Sequence, residues 1–143
     1  RQPALELDYA EVGHVLVHGA SGSGKTELLR SVAVAASLDD TTGAGVAPYI
    51  YALDFAGGGL SGLSTLPTTA SVIGESQHGQ VLRLIRLLRS TVTERAASLA
   101  AYGVADVDAL AAAGHRLLRV HVLIDNLPAL VEHLESLVAA RVA

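Results

Sequence analysis

HVLVHGASGSGKTELLR, residues 14–30, carries three signals in succession. His14 to His18 reads as a short buried strand, Gly19 to Gly24 as a glycine-rich turn, and Lys25-Thr26 as the opening of a helix. The turn matches G-x-x-x-x-G-K-[ST], and the strand-before, helix-after context is the one in which that pattern cradles phosphate. Gly19, Gly22 and Gly24 can take positive φ and let backbone amides approach an anion closely. Those amides form a donor nest at the positive end of the following helix. Lys25 supplies a mobile ammonium for the β- and γ-phosphates, and Thr26 a hydroxyl for Mg²⁺. The candidate nucleotide-binding set is therefore Gly19, Ala20, Ser21, Gly22, Ser23, Gly24, Lys25, Thr26 and Glu27, with Lys25 also a candidate catalytic residue. Lys25 is the only lysine in the chain; every other cation is arginine. A rigid guanidinium fork does not replace a compact point charge at such a position.

Outward from this stretch, the 143 residues are enough for one domain with a substantial core. Half are hydrophobic but only 3% are aromatic, so the core must be built from Ala, Val, Leu and Ile. The absence of cysteine excludes disulfides and thiolate metal sites. A net charge of −4 argues against an electrostatic clamp on duplex DNA. No apolar run is long and charge-free enough to span a bilayer. The expectation is a cytoplasmic domain, with any membrane anchor lying in sequence outside this stretch.

Residues 4–9 alternate apolar and polar, predicting a strand that leads into a turn at Glu11-Val12-Gly13. A helix follows the phosphate loop to about Leu38, its apolar face running through Leu28, Leu29, Val32 and Ala36. Residues 39–45 form a polar loop. PYIYALDF, residues 48–55, is short and apolar enough for a buried parallel strand, broken by Gly57-Gly58-Gly59. Residues 60–68 are a loop or short helix, and 69–73 another strand. A long helix spans about Gln77 to Tyr102, with an apolar stripe through Val81, Leu84, Ile85, Leu88, Val92 and Leu99. Gly103 is its C-cap, Asp106 the N-cap of a short helix, and Gly114 its stop. RVHVLI, residues 119–124, is the last strand, ending at Asp125-Asn126 before a C-terminal helix. Strands alternating with helices imply an α/β fold, a mostly parallel sheet with helices on both faces. The chain stops one helix after Asp125, so the core is expected to be incomplete.

A phosphate loop needs a carboxylate partner for its metal. Asp125, at the carboxyl end of a hydrophobic strand, is the candidate ligand beside Thr26; capping the next helix is the other reading. The following position is Asn126, where hydrolases of this type often carry glutamate. An amide positions water but does not accept its proton at neutral pH. A general base contributes about 10²–10⁴-fold in rate. Asn126 is thus a degenerate catalytic position, and slow hydrolysis of Mg-ATP is the expectation, raised by Asn126→Glu if all else is intact.

Residues 13–30, YALDFAGGGLSGLSTLP at 51–67, TERAASLAAYG at 93–103 and VLIDNLPAL at 122–130 together resemble an FtsK/SpoIIIE-type domain of the RecA-like P-loop motor ATPases. The resemblance covers nearly the whole chain, residues 1–143, as one domain of a larger multidomain protein. DNA-translocating members typically show Asp-Pro-Lys after the second strand. Asp54-Phe55-Ala56-Gly57-Gly58 is instead similar to the ATPase domains of type VII secretion proteins, the EccC/EssC group. The resemblance implies ATP and Mg²⁺ as cofactors and tandem ATPase domains behind a membrane anchor. It further implies hexameric assembly with neighbouring subunits, and a secreted protein as substrate. A DNA translocase and a degenerate nucleotide-binding interaction platform are the alternatives. Asn126, and Ala56 where many relatives have lysine, are departures that bear on hydrolysis rather than on binding.

Other residues have competing readings. Asp54 either organises the site or caps a turn. Arg83, Arg86 and Arg89 form either a subunit interface or a solvated face, the latter being the default. Arg30 is expected to pair with an acid. The histidines lack metal-ligand spacing; His14 and His18 on one strand would stand roughly 13 Å apart. They are read as packing or surface residues.

Overall fold

The computed structural model of the chain describes residues 13–38 and 48–142. The strand expected over residues 4–9 and the loop over 39–45 lie outside these. Helix α1 spans Lys25–Leu38, strand β1 Tyr49–Asp54, a 3-10 turn Ser61–Thr65 and strand β2 Thr69–Gly74. Helix α2 follows at His78–Tyr102, then helix α3 at Val107–Ala112, strand β3 at Val120–Asp125 and helix α4 at Leu127–Val142.

The strands form a parallel sheet in the order β2-β1-β3. β1 is central and buried from both sides, which is why its sequence is apolar with little alternation. Its register with β3 runs without interruption from Tyr49 opposite Val120 to Asp54 opposite Asp125. Side chains alternate between two cores. Ile50, Ala52 and Leu123 face α1 through Ala33, Leu29, Val32 and Ala36, and face the 3-10 region through Leu60 and Leu63. Leu53, Phe55 and Ile73 face the other way, onto Val81 and Leu84 of α2 and Leu130 of α4. Each such buried aliphatic or aromatic side chain contributes about 1.5–3 kcal/mol. Among the described residues the result is a three-stranded parallel sheet with helices on both faces, in keeping with a RecA-like P-loop core.

The helix ends follow the expected chemistry. Gly103 closes α2 at φ 65°, with the Val104 amide donating to the Leu99 carbonyl. The Asp106 carboxylate caps α3 by accepting from the Ala109 amide at 2.7 Å. Arg83, Arg86 and Arg89 are exposed on the single chain, which both of their readings require.

Three expectations are corrected. Residues 13–20 carry no strand, and Leu16 is 80% exposed, so the buried strand predicted over His14–His18 is not formed. An apolar alternating run records a preference for burial on a pleated surface, whereas the ladder that makes a strand is set by a distant partner. Leu28 turns outward, and Ala33, fully buried, takes its place on the α1 face. On α2 the stripe stops being buried before Val92, which is 66% exposed. A 25-residue helix is about 37 Å long, while a six-residue strand spans about 20 Å, so the helix outruns the sheet. Its distal half is held instead by contact with α3 and by the Arg95 guanidinium donating to the Leu118 carbonyl.

Candidate functional site

The carboxyl ends of β1 and β3 bring two buried carboxylates side by side. Asp54 and Asp125 are register partners, 6% and 5% exposed, and both point to the face covered by α1. Each is satisfied differently. Asp54 accepts from amides of its own following loop, Ala56 at 3.3 Å, Gly58 at 3.1 Å and Leu60 at 2.7 Å. Gly57 and Gly58 take φ near 95° and 93°, which lets the chain curl around the carboxylate. Asp54 is thus a turn cap, the second of its two readings, and gathers the amides of its own loop. Asp125 instead accepts from Thr26 Oγ1 at 2.7 Å.

That contact joins the phosphate loop to the sheet across 99 residues of sequence. A hydroxyl and a carboxylate oxygen are hard donors of the kind Mg²⁺ takes, usually with retained waters and substrate phosphates completing its shell. The donor set therefore fits Mg²⁺, with Thr26 and Asp125 as the residues to hold it directly or through water. Asp125 does not cap α4.

Within the phosphate loop, Gly22 and Gly24 adopt φ 74° and 87°. Gly19 does not use positive φ; a Cβ there would lie 2.6 Å from Ser23 Oγ, a contact that rotation of the serine side chain relieves. The first helical bond of α1 runs from the Leu28 amide to the Gly24 carbonyl at 2.9 Å. The amides of Lys25, Thr26 and Glu27 therefore precede the ladder, as first-turn amides do. Lys25 Nζ donates to the carbonyls of Gly19 at 2.8 Å and Ala20 at 2.7 Å. The ammonium thus rests on the inner carbonyls of its own loop. Ala20 and Ser21 are exposed loop residues, and Ser23 Oγ lies 3.5 Å from Lys25 Nζ.

Glu27, taken from sequence as part of the nucleotide-binding set, directs its carboxylate to Arg30 Nη1 at 2.6 Å. Arg30 thus pairs with an acid as expected. It also does something sequence did not indicate: Nε, at 2.7 Å, and Nη2 both donate to the Gly59 carbonyl. Gly59 in turn lies so close to Thr26 that a Cβ would meet Thr26 Cγ2 at 2.7 Å.

Asn126 has φ 67°, the one positive φ among the described non-glycine residues. Its Nδ2 donates to the Phe55 carbonyl at 3.0 Å, and its Oδ1 accepts from the Ala129 amide at 3.4 Å. The side chain is therefore committed to capping α4 and tying β3 to the end of β1.

On the far side of the Asp54 loop, a cavity of about 750 Å³ opens between it and the β2–α2 turn; Gly57, Gly58, Gly74, Gln77, His78 and His133 are among its walls. His78 and His133 stack with centroids 4.6 Å apart and ring nitrogens 3.0 Å apart, and Phe55 meets His133 edge-on at 5.3 Å. This is packing, and the 55-residue separation hid it from sequence. No helix among the described residues is long and apolar enough to cross a membrane.

Comparison with known proteins agrees with this architecture. The FtsK/SpoIIIE family matches residues 2–141. The ESX-5 secretion system protein EccC5 of Mycobacterium marinum is 32% identical over 108 residues, 75% of this chain and 8% of that protein. The ESX-4 secretion system protein EccC4 of Mycobacterium tuberculosis is 36% identical over 95 residues, 66% of this chain and 7% of that protein. The chain thus spans less than a tenth of the length of these relatives. No solved structure matches significantly. A phosphate loop joined to a strand-end aspartate on a parallel sheet, with this match along almost the whole chain, means that it belongs to the FtsK/SpoIIIE family.

Proposed function

We propose that this chain is the nucleotide-binding motor module of a type VII secretion ATPase, coupling ATP binding and slow hydrolysis to protein translocation. ATP lies on the Gly19–Glu27 segment, with Lys25 on the β- and γ-phosphates and Thr26 and Asp125 about the Mg²⁺. The observation that carries the reading is the 2.7 Å contact between Thr26 Oγ1 and Asp125 Oδ2, which brings the glycine-rich loop and the strand-end carboxylate together. Slow hydrolysis follows because Asn126 is not a base and its amide is already bonded at both ends. The likeness to EccC5 and EccC4 supports secretion over DNA translocation, as does the net charge of −4. In that setting the module works within a larger, membrane-anchored chain, beside tandem ATPase domains and neighbouring subunits in a hexameric ring, on a secreted protein.

The test is equilibrium binding of ATP with Mg²⁺ to the full protein, together with ATPase assays with and without DNA. Saturable binding with one site fewer in Lys25→Ala, and turnover indifferent to DNA, are expected. Absence of binding, with Lys25→Ala indistinguishable from the parent, overturns the reading in favour of an interaction platform. DNA-stimulated turnover overturns the secretion assignment.

A further inference from the structure

The Asp54–Leu60 loop meets Thr26 at Gly59, and three separate features hold that point in place. From inside the loop, the Asp54 carboxylate gathers the amides of Ala56, Gly58 and Leu60. Beneath it, the fully buried Leu60 side chain anchors the loop in the α1-side core. From the opposite wall, Arg30 donates twice to the Gly59 carbonyl, while its remaining nitrogen is steadied by Glu27. Gly59 is pressed against the Thr26 methyl, and a Cβ on it would also stand 3.9 Å from Asp125 Oδ2. Gly59 has no positive φ, so its missing side chain answers to this contact and not to a backbone requirement.

The Thr26 side chain is therefore confined on one side. A threonine whose methyl abuts a fixed backbone has its hydroxyl aimed by that contact, here at Asp125. We infer that Arg30 and Gly59 are positioning residues for the metal pair. Arg30 clamps Gly59 against Thr26, and Gly59 fixes the direction of the Thr26 hydroxyl towards Asp125. The inference rests on the nucleotide-binding reading above. Its consequence is selective: the clamp meets the side chains of Thr26 and Glu27 and not the loop amides or Lys25, so it governs the gain in nucleotide affinity that Mg²⁺ brings more than the metal-free affinity.

The test measures ATP affinity with Mg²⁺ and with EDTA, in the full protein, for the parent, Arg30→Met, Arg30→Lys, Gly59→Ala, Thr26→Ser and the Gly59→Ala/Thr26→Ser pair. Arg30→Met is expected to reduce the Mg²⁺ enhancement about tenfold, with metal-free affinity within about twofold, and Arg30→Lys to restore part of it. Gly59→Ala is expected to do the same by pushing Thr26 aside. Serine lacks the methyl that the new Cβ would strike, so the paired variant should regain the enhancement shown by Thr26→Ser alone. A merely structural glycine would not be rescued this way. If the parent binds with a clear Mg²⁺ enhancement and Arg30→Met or Gly59→Ala keeps it, the positioning role is wrong and the nucleotide reading stands. If the paired variant is no better than Gly59→Ala, the aiming contact is wrong. If the parent binds no nucleotide, both readings fall together.

Discussion

Thr26 Oγ1 donates to Asp125 Oδ2 at 2.7 Å, so the first turn of α1 is fastened to the end of β3 without any strand joining the phosphate loop to the sheet. The bond makes Asp125 the residue whose charge can be removed with least change of shape. Asp125→Asn keeps an oxygen for the Thr26 hydroxyl but removes the anion that a divalent ion needs. Its expected effect is a loss of about tenfold or more in Mg-ATP affinity, with the melting temperature little changed. Calorimetric titration with and without Mg²⁺ reads it. Equal affinity in Asn and Asp proteins would remove Asp125 from the metal site.

Asn126 was the position where sequence pointed to a missing base, with glutamate as the repair. The structure reverses the expected outcome of that substitution. With φ at 67°, the backbone is in the left-handed region, which asparagine tolerates and glutamate does not. Glutamate also forfeits the short cap onto the Ala129 amide. Asn126→Glu and Asn126→Ala should each destabilise the domain by about 2–3 kcal/mol, the sum of a left-handed penalty and a lost cap. Asn126→Glu should not accelerate hydrolysis. Asn126→Asp keeps the cap and the backbone preference but turns an acceptor oxygen onto the Phe55 carbonyl, and should cost about 1–3 kcal/mol through that lost bond alone. Urea denaturation at constant m-value, beside steady-state turnover, checks both; a faster Asn126→Glu enzyme would restore the sequence-based view.

The contrast between β3 and residues 14–18 shows what sequence could carry. VHVLI and HVLVH are nearly the same local signal, yet one is a ladder strand and the other is not. β1, β2 and β3 were legible to within a residue because apolar runs end at glycine or at Asp-Asn. Likewise Asp106 and Gly103 announced helix ends by side-chain and backbone chemistry that acts within four residues. Pairing, in contrast, depends on a partner strand chosen by the whole fold. The same limit applies to the site. The G-x-x-x-x-G-K-T pattern and the strand-end Asp125 were visible because each is a local motif with a fixed role. The Arg30 clamp on Gly59 spans 29 residues, and the His78–His133 stack 55; no spacing rule joins them. Asp54 lay between these cases. Its Asp-x-x-Gly-Gly setting signals a side chain that captures nearby amides, although not how deeply it is buried.

That burial makes Asp54 a stability residue. Asp54→Ala leaves the amides of Ala56, Gly58 and Leu60 without their common acceptor. A hydrogen bond to a charged group contributes about 1.5–3 kcal/mol, and three sharing one carboxylate are not additive, so a loss of about 3 kcal/mol or more is expected. Asp54→Asn retains one acceptor oxygen but turns an NH₂ towards one of these amides, and should cost less than Asp54→Ala. Chemical denaturation ranks the two. Equal stability of Asp54→Ala and the parent would show that the loop folds without its internal anion.

The unpaired phosphate-loop segment leaves an apolar surface open, since Val15, Leu16 and Val17 are all exposed. Among the described residues β3 is an edge strand, with one side of its backbone ladder unpaired. An open edge and exposed aliphatic side chains each favour association between chains. The chain of residues 1–143 should therefore self-associate with rising concentration, and Leu16→Asp should shift it towards monomer. Because Leu16 makes no buried contact, the substitution should alter stability by no more than about 0.5 kcal/mol. Sedimentation velocity across a concentration series distinguishes the two chains. If Leu16→Asp instead unfolds the domain, residues 14–18 are buried in solution and pair as the sequence first indicated; if association is unchanged, the contact between chains lies elsewhere.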